Sequence, residues 1–447
     1  MKTVFTFCVS RSNPPLRTTT VGATGGTTAA REGGIHVKMN TKGRKFASVV
    51  MVAAVGFGAA ACGSDDSSSS TEAPAGSEAP AGSEAPAGDQ FQLANFTPWS
   101  EDTPVVDCMP EEGPLKAAWV FVGPINDGGW TQAHNEGREA VQEQFGDLVE
   151  TTYKENVPEG PQVLQTVEDL IADGNTVIFG TSFGFQDAFA EAAEKHPNVC
   201  FEFATGYKQG PNLSQFYGSA EDTDYLTGMA AGAASKSGKL GILASFPIPE
   251  VVRGVNAWTM GARATNPTAE VTVVWTNTWF DPALERRTAE ALIADGADVI
   301  GVKSQDSPAS GDAAAAAGVP WAGYDSDQSA NYPDVWLTAT VYDWSVYLIP
   351  RIQAVLDGNW IAGNYYGALN DGFVRLATFG SLVSEETRAL IEARLAELTE
   401  APGSMFTGPL KDNQGNEVLA EGVSHTYEEL MSMSYLVEGV IGEIPAG

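Results

Sequence analysis

The pentapeptide LIADG occurs twice in this chain, at residues 170–174 and again 122 residues later at 292–296. A short apolar run follows each copy. At nearly the same offset, the stretch GKLGILASF (238–246) aligns with LKAAWVFVG (115–123). An internal repeat of this length predicts two copies of one strand–helix–strand–helix–strand unit. The protein is therefore expected to have two lobes with a cleft between them.

Strands and helices alternate along both copies. Apolar strands are expected at 117–122, 149–153, 176–179 and 199–204 in the first copy and at 238–245, 271–274, 299–301 and 321–324 in the second. Such alternation indicates an α/β fold in which each parallel sheet is covered on both faces. Residues 93–236 are predicted to form the first lobe and residues 237–336 the second. Residues 337–447, with helices at 385–398 and 427–438, are expected to cross back, complete the first lobe and add a C-terminal extension.

The N-terminal region has the pattern of a lipoprotein signal peptide. Residues 39–61 combine a basic start with a short apolar run, and small residues precede Cys62. Cys62 is therefore expected to carry a lipid after cleavage; the alternatives are an ordinary secretory signal or a short buried helix. Residues 1–38 are interpreted as a mis-assigned start, and residues 62–92, rich in Ser, Glu, Ala, Pro and Gly, as a flexible tether. The mature protein would then be extracytoplasmic and held to the cell membrane by its lipid anchor.

The chain is strongly acidic. It contains 25 Lys and Arg against 57 Asp and Glu, which gives a formal net charge of −32. A nucleic-acid partner is therefore not expected, and neither is a basic surface for anionic lipids. The four histidines lack metal-ligand spacing, and phosphate-loop and nucleophile-elbow motifs are missing. No metal, cofactor or catalytic residue is predicted.

Two cysteines remain in the mature chain besides the anchor, Cys108 and Cys200. An extracytoplasmic location permits a disulfide between them. Cys108 lies just before the first strand and Cys200 at the start of the strand 199–204, so both could lie at one edge of the same sheet. The alternative is two separate thiols.

Ligands of open parallel sheets bind beyond the carboxyl ends of the strands. In this chain, aromatic residues stand beside Asp or Asn in most of the loops at those ends, which predicts a binding site for a small molecule. The candidate residues in these loops are Asn126, Asp127, Gly128, Trp130, Phe183, Gly206, Tyr207, Trp279, Phe280, Asp306, Tyr324 and Asp325.

Trp130 and Asp127 together suit a heteroaromatic ligand, because such a ring can stack on the indole while its N–H groups donate to the carboxylate. Asp127 has a structural alternative as the cap of the following helix. Phe280 likewise precedes an Asp–Pro pair that is typical of a helix start.

Several longer motifs resemble one known family. They are INDGGWTQAH (125–134), IPEVVRGVNAWTMGARATNP (248–267), VVWTNTWFDP (273–282), DSPA (306–309), GYDSDQS (323–329) and FTGPLKDNQG (406–415). They look like those of the basic membrane protein family, whose members are lipoproteins that serve as substrate-binding components of ABC importers. The resemblance implies the type I periplasmic-binding-protein fold, with two Rossmann-like lobes whose parallel sheets surround a central cleft. Several family members bind purine nucleosides or purine bases.

By position, the resemblance assigns ligand contacts to Asp127 and Asp325 and an aromatic sandwich to Trp130 and Phe280. Asn256, within the motif at 248–267, is a further candidate ligand residue.

Two family residues near the ribose do not carry over. The stretch that matches the family's lysine has Tyr342 near that position, and a family Asp is matched by Thr205. Their loss favours a free purine base over a nucleoside, with a Tyr or Trp side chain closing what would be the sugar pocket.

The expected function is that of a monomeric lipoprotein that binds a purine and presents it to ABC permease subunits, without covalent chemistry. A binding protein for another small polar ligand, such as a sugar, is one alternative. A receptor that senses its ligand through a partner is another. A nucleoside hydrolase that uses Asp127 and Asp306 as acid and base is a third.

Overall fold

The structure, a computed structural model, describes residues 93–445. The predictions about the start codon, the signal peptide, Cys62 and the tether lie outside these residues. In chain order the strands are β1 (Phe96–Pro98), β2 (Leu115–Val120), β3 (Val149–Lys154), β4 (Val177–Gly180), β5 (Cys200–Ala204), β6 (Leu213–Gly218), β7 (Lys239–Ala244), β8 (Glu270–Trp275), β9 (Ile300–Lys303), β10 (Trp321–Asp325), β11 (Trp336–Tyr342), β12 (Gly363–Gly367), β13 (Val374–Leu376), β14 (Leu410–Lys411), β15 (Glu417–Leu419) and β16 (Val440–Ile441).

The helices fall between these strands. They are α1 (Trp130–Phe145), α2 (Pro161–Ala172), α3 (Gln186–Lys195), α4 (Ala220–Ala234), α5 (Pro249–Thr265), α6 (Pro282–Ala294), α7 (Ala309–Ala317), α8 (Ser345–Leu356), α9 (Glu385–Glu400) and α10 (Tyr427–Met431).

Two seven-stranded sheets form two lobes. The strand order is β1-β12-β6-β5-β4-β2-β3 in the first lobe and β13-β11-β10-β9-β7-β8-β16 in the second. In each sheet the first strand of the repeat lies between the second and the third, and these strands run parallel. The identical order confirms the α/β fold with two repeated units that the sequence predicts. It is the type I periplasmic-binding-protein fold.

The two LIADG copies occupy equivalent places. Each ends a helix, α2 or α6, and leads into the third strand of its lobe. The closing glycines, Gly174 and Gly296, have φ values of 90° and 101°, which glycine adopts without the strain that a side chain would impose. The repeat is therefore a helix-ending turn used twice.

Both faces of the first sheet are covered. Ala117 and Trp119 of β2 belong to one hydrophobic cluster, whereas Ala118 and Val120 belong to another. Because successive side chains of a strand point to opposite faces, the two clusters lie on the two sides of the sheet.

Helix α4 lies in the second lobe, although a boundary after residue 236 was expected to leave it in the first. It packs along α5 in the hydrophobic cluster of the second lobe. Gly228 and Gly261 allow this, because a Cβ at either position would overlap a carbonyl of the facing helix. The boundary therefore falls near Ser219.

The chain crosses between the lobes three times. The crossings are the turn from β6 to α4, the turn from β11 to α8, and the segment from β12 to β13. The backbone N–H of Ser219 donates to Gly367 O at 2.7 Å, and that of Asp343 donates to Phe373 O at 2.8 Å. The three crossings thus lie side by side, joined by hydrogen bonds.

Most of the C-terminal part extends the second lobe, while α8 and β12 return to the first. The helix expected over 427–438 ends at Met431. Asn256 of α5 explains the early end, because its amide donates to Tyr435 O at 2.7 Å and accepts from Val437 N at 2.9 Å. These bonds hold the backbone in an extended path towards β16.

Cys108 and Cys200 are joined as a disulfide, with their Cα atoms 5.9 Å apart. This separation is within the usual range for a disulfide. The bond ties the segment before β2 to the start of β5. Between residues 93 and 445, no helix is both long and apolar enough to cross a bilayer.

Candidate functional site

A small cavity lies where the strand ends of the two lobes face each other. Each of its lining residues follows, or ends, a strand of the two repeated units, as expected for parallel sheets. The lining residues are Val122, Trp130, Ser182, Phe183 and Thr205 from the first lobe and Glu250, Trp279, Ser304, Asp306 and Asp325 from the second.

Two indole rings, one from each lobe, form part of the cavity wall. The Nε1 of Trp130, at the start of α1, donates to Thr181 O at 2.7 Å. The Nε1 of Trp279 donates to Glu159 Oε1 across the cleft at 3.2 Å. Both rings are therefore fixed by their polar edges, which leaves apolar area available for a ligand.

Asp325 places a buried carboxylate in the same cavity. It is 2% exposed, and neither of its oxygens has a hydrogen-bond partner. Burial raises the pKa of Asp325 well above its usual range, and Lys303 opposes this shift. Burial also raises the pKa of Asp306, with Asp127 and Asp325 adding to the shift. Because a buried, unpartnered carboxylate is costly, Asp325 is available to a ligand that supplies donors.

Three cavity residues have left-handed backbone conformations. Thr205, Ser304 and Asp325 have φ values of 66°, 55° and 65° at the ends of β5, β9 and β10. Such values are rare for residues other than glycine, and they cost about 1–3 kcal/mol each. Backbone strain is therefore concentrated at the cavity, as is common at binding sites.

The loop between β2 and α1, which carries Asp127, has a structural role. Asp127 accepts hydrogen bonds from the backbone N–H groups of Gly129, Thr131 and Gln132 at 2.9–3.0 Å, so it stabilises the start of α1. It does not line the cavity, contrary to the expectation, and neither does the exposed Asn126.

Gly128 also lies outside the cavity wall, in the contact between the lobes. Its carbonyl accepts hydrogen bonds from Gln328 Nε2 at 3.1 Å and from the Ser326 hydroxyl. The predicted ligand residue is therefore part of the interface that forms when the lobes meet.

Two further candidates, Tyr324 and Tyr342, belong to a buried cluster of hydroxyl groups. The hydroxyl of Tyr342 lies 2.8 Å from that of Tyr324 and 2.9 Å from that of Tyr217. Lys303 Nζ donates to Tyr324 OH at 2.9 Å and to Asp224 Oδ2 at 2.7 Å. The tyrosines thus fill space next to Asp325 and do not line the cavity.

The remaining candidates lie elsewhere. Phe280 is half-buried and does not line the cavity, whereas its neighbour Trp279 does. Asn256 is completely buried and holds the C-terminal segment, as described above. Gly206 and Tyr207 line a larger adjoining chamber.

Sequence reasoning missed Val122, Ser182, Glu250 and Ser304, and it treated Thr205 only as a missing acid. All five lie at strand ends, and Glu250 is in the first turn of α5 after β7. Their position after strands was a usable signal, but none of them belongs to a pair of an aromatic residue and Asp. Within the described range, no group of three or more His, Cys, Asp or Glu residues is arranged to hold a metal ion.

Glu285 supports the second-lobe side of the site. It accepts from Ser307 Oγ at 2.5 Å and from the backbone N–H of Asp281 at 3.1 Å, so it joins the two loops that carry Asp306 and Trp279. Burial raises the pKa of Glu285 from 4.5 to about 7.

This shift predicts a pH-dependent stability. Because the folded-state pKa is raised, the native protein holds the Glu285 proton more tightly than the unfolded chain does. The stabilisation is complete below pH 4.5 and is lost as the pH rises through about 7, a change of about 3 kcal/mol. Urea unfolding at pH 5 and pH 8 should show a smaller difference in Glu285→Gln than in the wild type. An unchanged difference would contradict the assignment.

Two parallel-sheet lobes that face each other across a cavity, with lining residues from the strand ends of both, define a two-lobed solute-binding protein. Residues 115–400 match the family described as ABC transporter substrate-binding protein PnrA-like. The chain belongs to this family. Its members are extracytoplasmic solute-binding proteins and not enzymes, and they deliver small ligands to permeases.

Two relatives agree with this assignment, and a solved structure shares the fold. A purine-binding protein of Brucella abortus is 38% identical over 75% of this chain and 95% of its own length. A putative ABC transporter glucose-binding protein of Haloferax volcanii is 37% identical over 75% of this chain and 83% of its own. A solute-binding protein of an ABC transporter system from Aeropyrum pernix has a similar fold, with a TM-score of 0.57 and 18% identity, and the match covers 67% of this chain and 93% of that one.

Proposed function

We propose that this protein binds a purine base in the cavity between its lobes and delivers it to the permease of an ABC importer. The placement of Trp130 and Trp279, from opposite lobes, around a cavity that also holds the unpartnered Asp325 supports this function. Indole rings offer stacking area to a flat heteroaromatic ring, and a carboxylate accepts hydrogen bonds from ring N–H and amino groups.

A free base fits this cavity better than a nucleoside. Tyr342 is 6% exposed, and its hydroxyl is bonded within the tyrosine cluster, so it cannot donate to a sugar without breaking those bonds. Thr205 has replaced the acid that the resemblance expects, and its hydroxyl has no partner in the structure. The groups expected to hold a ribose are therefore missing or engaged.

The relatives support two ligand classes. The Brucella abortus relative is a purine-binding protein, and the Haloferax volcanii relative carries the description of a glucose-binding protein. Aromatic rings and carboxylates also occur in sugar sites, so glucose is the second candidate. The absence of Lys and Arg from the cavity lining argues against a free amino acid, whose carboxylate needs a cation.

The proposed protein is a monomer anchored through Cys62. The anchor rests on the small residues before Cys62 and on the tether after it, both read from the sequence. A mass measurement of the mature N-terminal peptide tests this, because a lipid on Cys62 adds a defined mass.

Thermal-shift screening of the purified protein tests which class of ligand it binds. The panel holds adenine, guanine, hypoxanthine, xanthine, urate, their nucleosides, glucose and other sugars. A ligand that binds only the folded state stabilises it by about 2.7 kcal/mol at a hundredfold excess over its dissociation constant. We expect purine bases to raise the melting temperature and nucleosides to have little effect.

Two tryptophan variants test whether a thermal shift arises from binding in the cavity. Trp279→Ala removes a cavity ring and should abolish the shift. Trp99→Ala removes a ring that is 42% exposed and outside the cavity, and it should keep the shift. A shift with glucose and none with any purine would replace the purine assignment by the sugar assignment.

A further inference from the structure

The ionisable side chains that line the cavity are all acidic. Glu250, Asp306 and Asp325 line the cavity, whereas none of the lining residues is Lys or Arg. All three carboxyl groups come from the second lobe: Glu250 lies in the first turn of α5, Asp306 in the loop after β9 and Asp325 at the end of β10. A ligand in this cavity therefore faces three acidic groups on one side.

The nearest buried cations are already paired with other acids. Lys303 Nζ lies 2.7 Å from Asp224 Oδ2, and both side chains are almost completely buried. Arg253 Nε lies 3.1 Å from Glu221 Oε2, also in a buried pair. Each cation is thus paired with a carboxylate that does not line the cavity, so neither is left over to pair with a charged ligand.

Asp325 indicates which chemical groups a ligand should present to the cavity wall. Its two oxygens are buried without a partner, and its left-handed backbone, with φ of 65°, holds it at the end of β10. Both oxygens can accept hydrogen bonds, so a ligand with N–H donors satisfies them. A ligand that brings its own negative charge finds no Lys or Arg in the wall, and burying that charge without a partner costs free energy.

We propose that the cavity selects among purines by charge, admitting neutral aminopurines such as adenine and excluding anionic oxopurines such as urate. This inference rests on the proposed purine-binding function. Adenine presents a ring N–H and an exocyclic amino group to the acidic wall. Urate is an anion at neutral pH, and burying an anion without a cation costs several kcal/mol, which corresponds to a hundredfold or more in affinity.

Calorimetric titration of the purified protein with adenine and with urate, both at pH 7.5, tests the proposal. We expect urate to bind at least about a hundredfold more weakly than adenine. The double variant Asp306→Asn/Asp325→Asn keeps the shape of the wall and replaces two of its carboxyl groups by amides, which can donate to an anion. In this variant we expect adenine to bind more weakly and the difference between the two ligands to fall below about tenfold.

Asp147→Asn is the matched control, because it removes an exposed carboxyl outside the cavity. It should leave both affinities as in the wild type. Equal binding of adenine and urate to the wild type would overturn charge selection while purine binding stands. So would an unchanged difference in the double variant. Failure of every purine to bind would remove the proposed function, and charge selection with it.

Discussion

Gly129→Ala should weaken ligand binding by roughly tenfold to a hundredfold. Gly129 lies at the contact between the lobes, and a Cβ there would come within 2.7 Å of Asp306 O and 2.9 Å of Asp306 Cα. These are backbone atoms, so they cannot move aside as a flexible side chain can. Overpacking of this kind costs about 1–3 kcal/mol. The cost falls on the state in which the lobes touch, and a ligand held by both lobes loses affinity by the same amount.

Calorimetry with the best ligand from the thermal-shift screen measures this loss. Small-angle X-ray scattering with and without the ligand shows whether the lobes still close. Gly210→Ala is the matched control, since the nearest atom to its Cβ would be Leu213 Cβ at an ordinary 3.8 Å. Wild-type affinity in Gly129→Ala would mean that the ligand does not require this contact.

Glu202→Ala should lower the free energy of unfolding by about 3–5 kcal/mol. Glu202 is completely buried in the middle of β5. It accepts hydrogen bonds from Arg351 Nε at 2.6 Å, Tyr347 OH at 2.6 Å and Trp360 Nε1 at 2.8 Å. Its removal leaves the buried guanidinium of Arg351 without its carboxylate. The effect is large because α8, which returns from the second lobe, is held to the first sheet by this group.

Urea unfolding of the variant measures this destabilisation. Glu143→Ala removes an exposed carboxylate and should change stability by less than about 0.5 kcal/mol. The double variant Glu202→Leu/Arg351→Met should recover most of the loss, because apolar side chains can replace a buried ion pair. If Glu202→Ala matches the wild type in stability, this group does not hold α8 to the sheet.

The two-lobed fold could be predicted because its repeat is local. LIADG encodes a helix end, a glycine turn and the next strand within a few residues, and hydrophobic periodicity identifies the strands on either side. The lobe boundary could not be predicted in this way. Helix α4 joins the second lobe because glycines 33 positions apart in the sequence, Gly228 and Gly261, lie at one helix contact.

About half of the site could be predicted from strand ends. Trp130, Asp306 and Asp325 were identified because the carboxyl ends of parallel strands converge. The choice between the neighbours Trp279 and Phe280 depends on the path of the loop after β8, which no periodicity encodes. The inward position of Thr205 depends on its left-handed backbone, which residue type does not reveal.

Asp127 shows a second reason why part of the site could not be predicted from the sequence. A carboxylate before a helix suits both a ligand and a helix start, and only the three backbone N–H groups around it distinguish the two roles. Asn256 was assigned to the ligand by motif, whereas its partners, Tyr435 and Val437, are 179 and 181 residues away in the sequence.

The hydrogen bonds between the crossing segments restrict how the two lobes can move relative to each other. Ser219 with Gly367 and Asp343 with Phe373 bind the three links into one narrow strip. Twisting or sliding of one lobe over the other would break these bonds, whereas rotation about the strip would preserve them. These bonds therefore favour a hinge rotation of the lobes about the strip over twisting or sliding. A transporter or a signalling protein that contacts both lobes can detect a bound ligand from the angle between the lobes, whichever ligand fills the cavity.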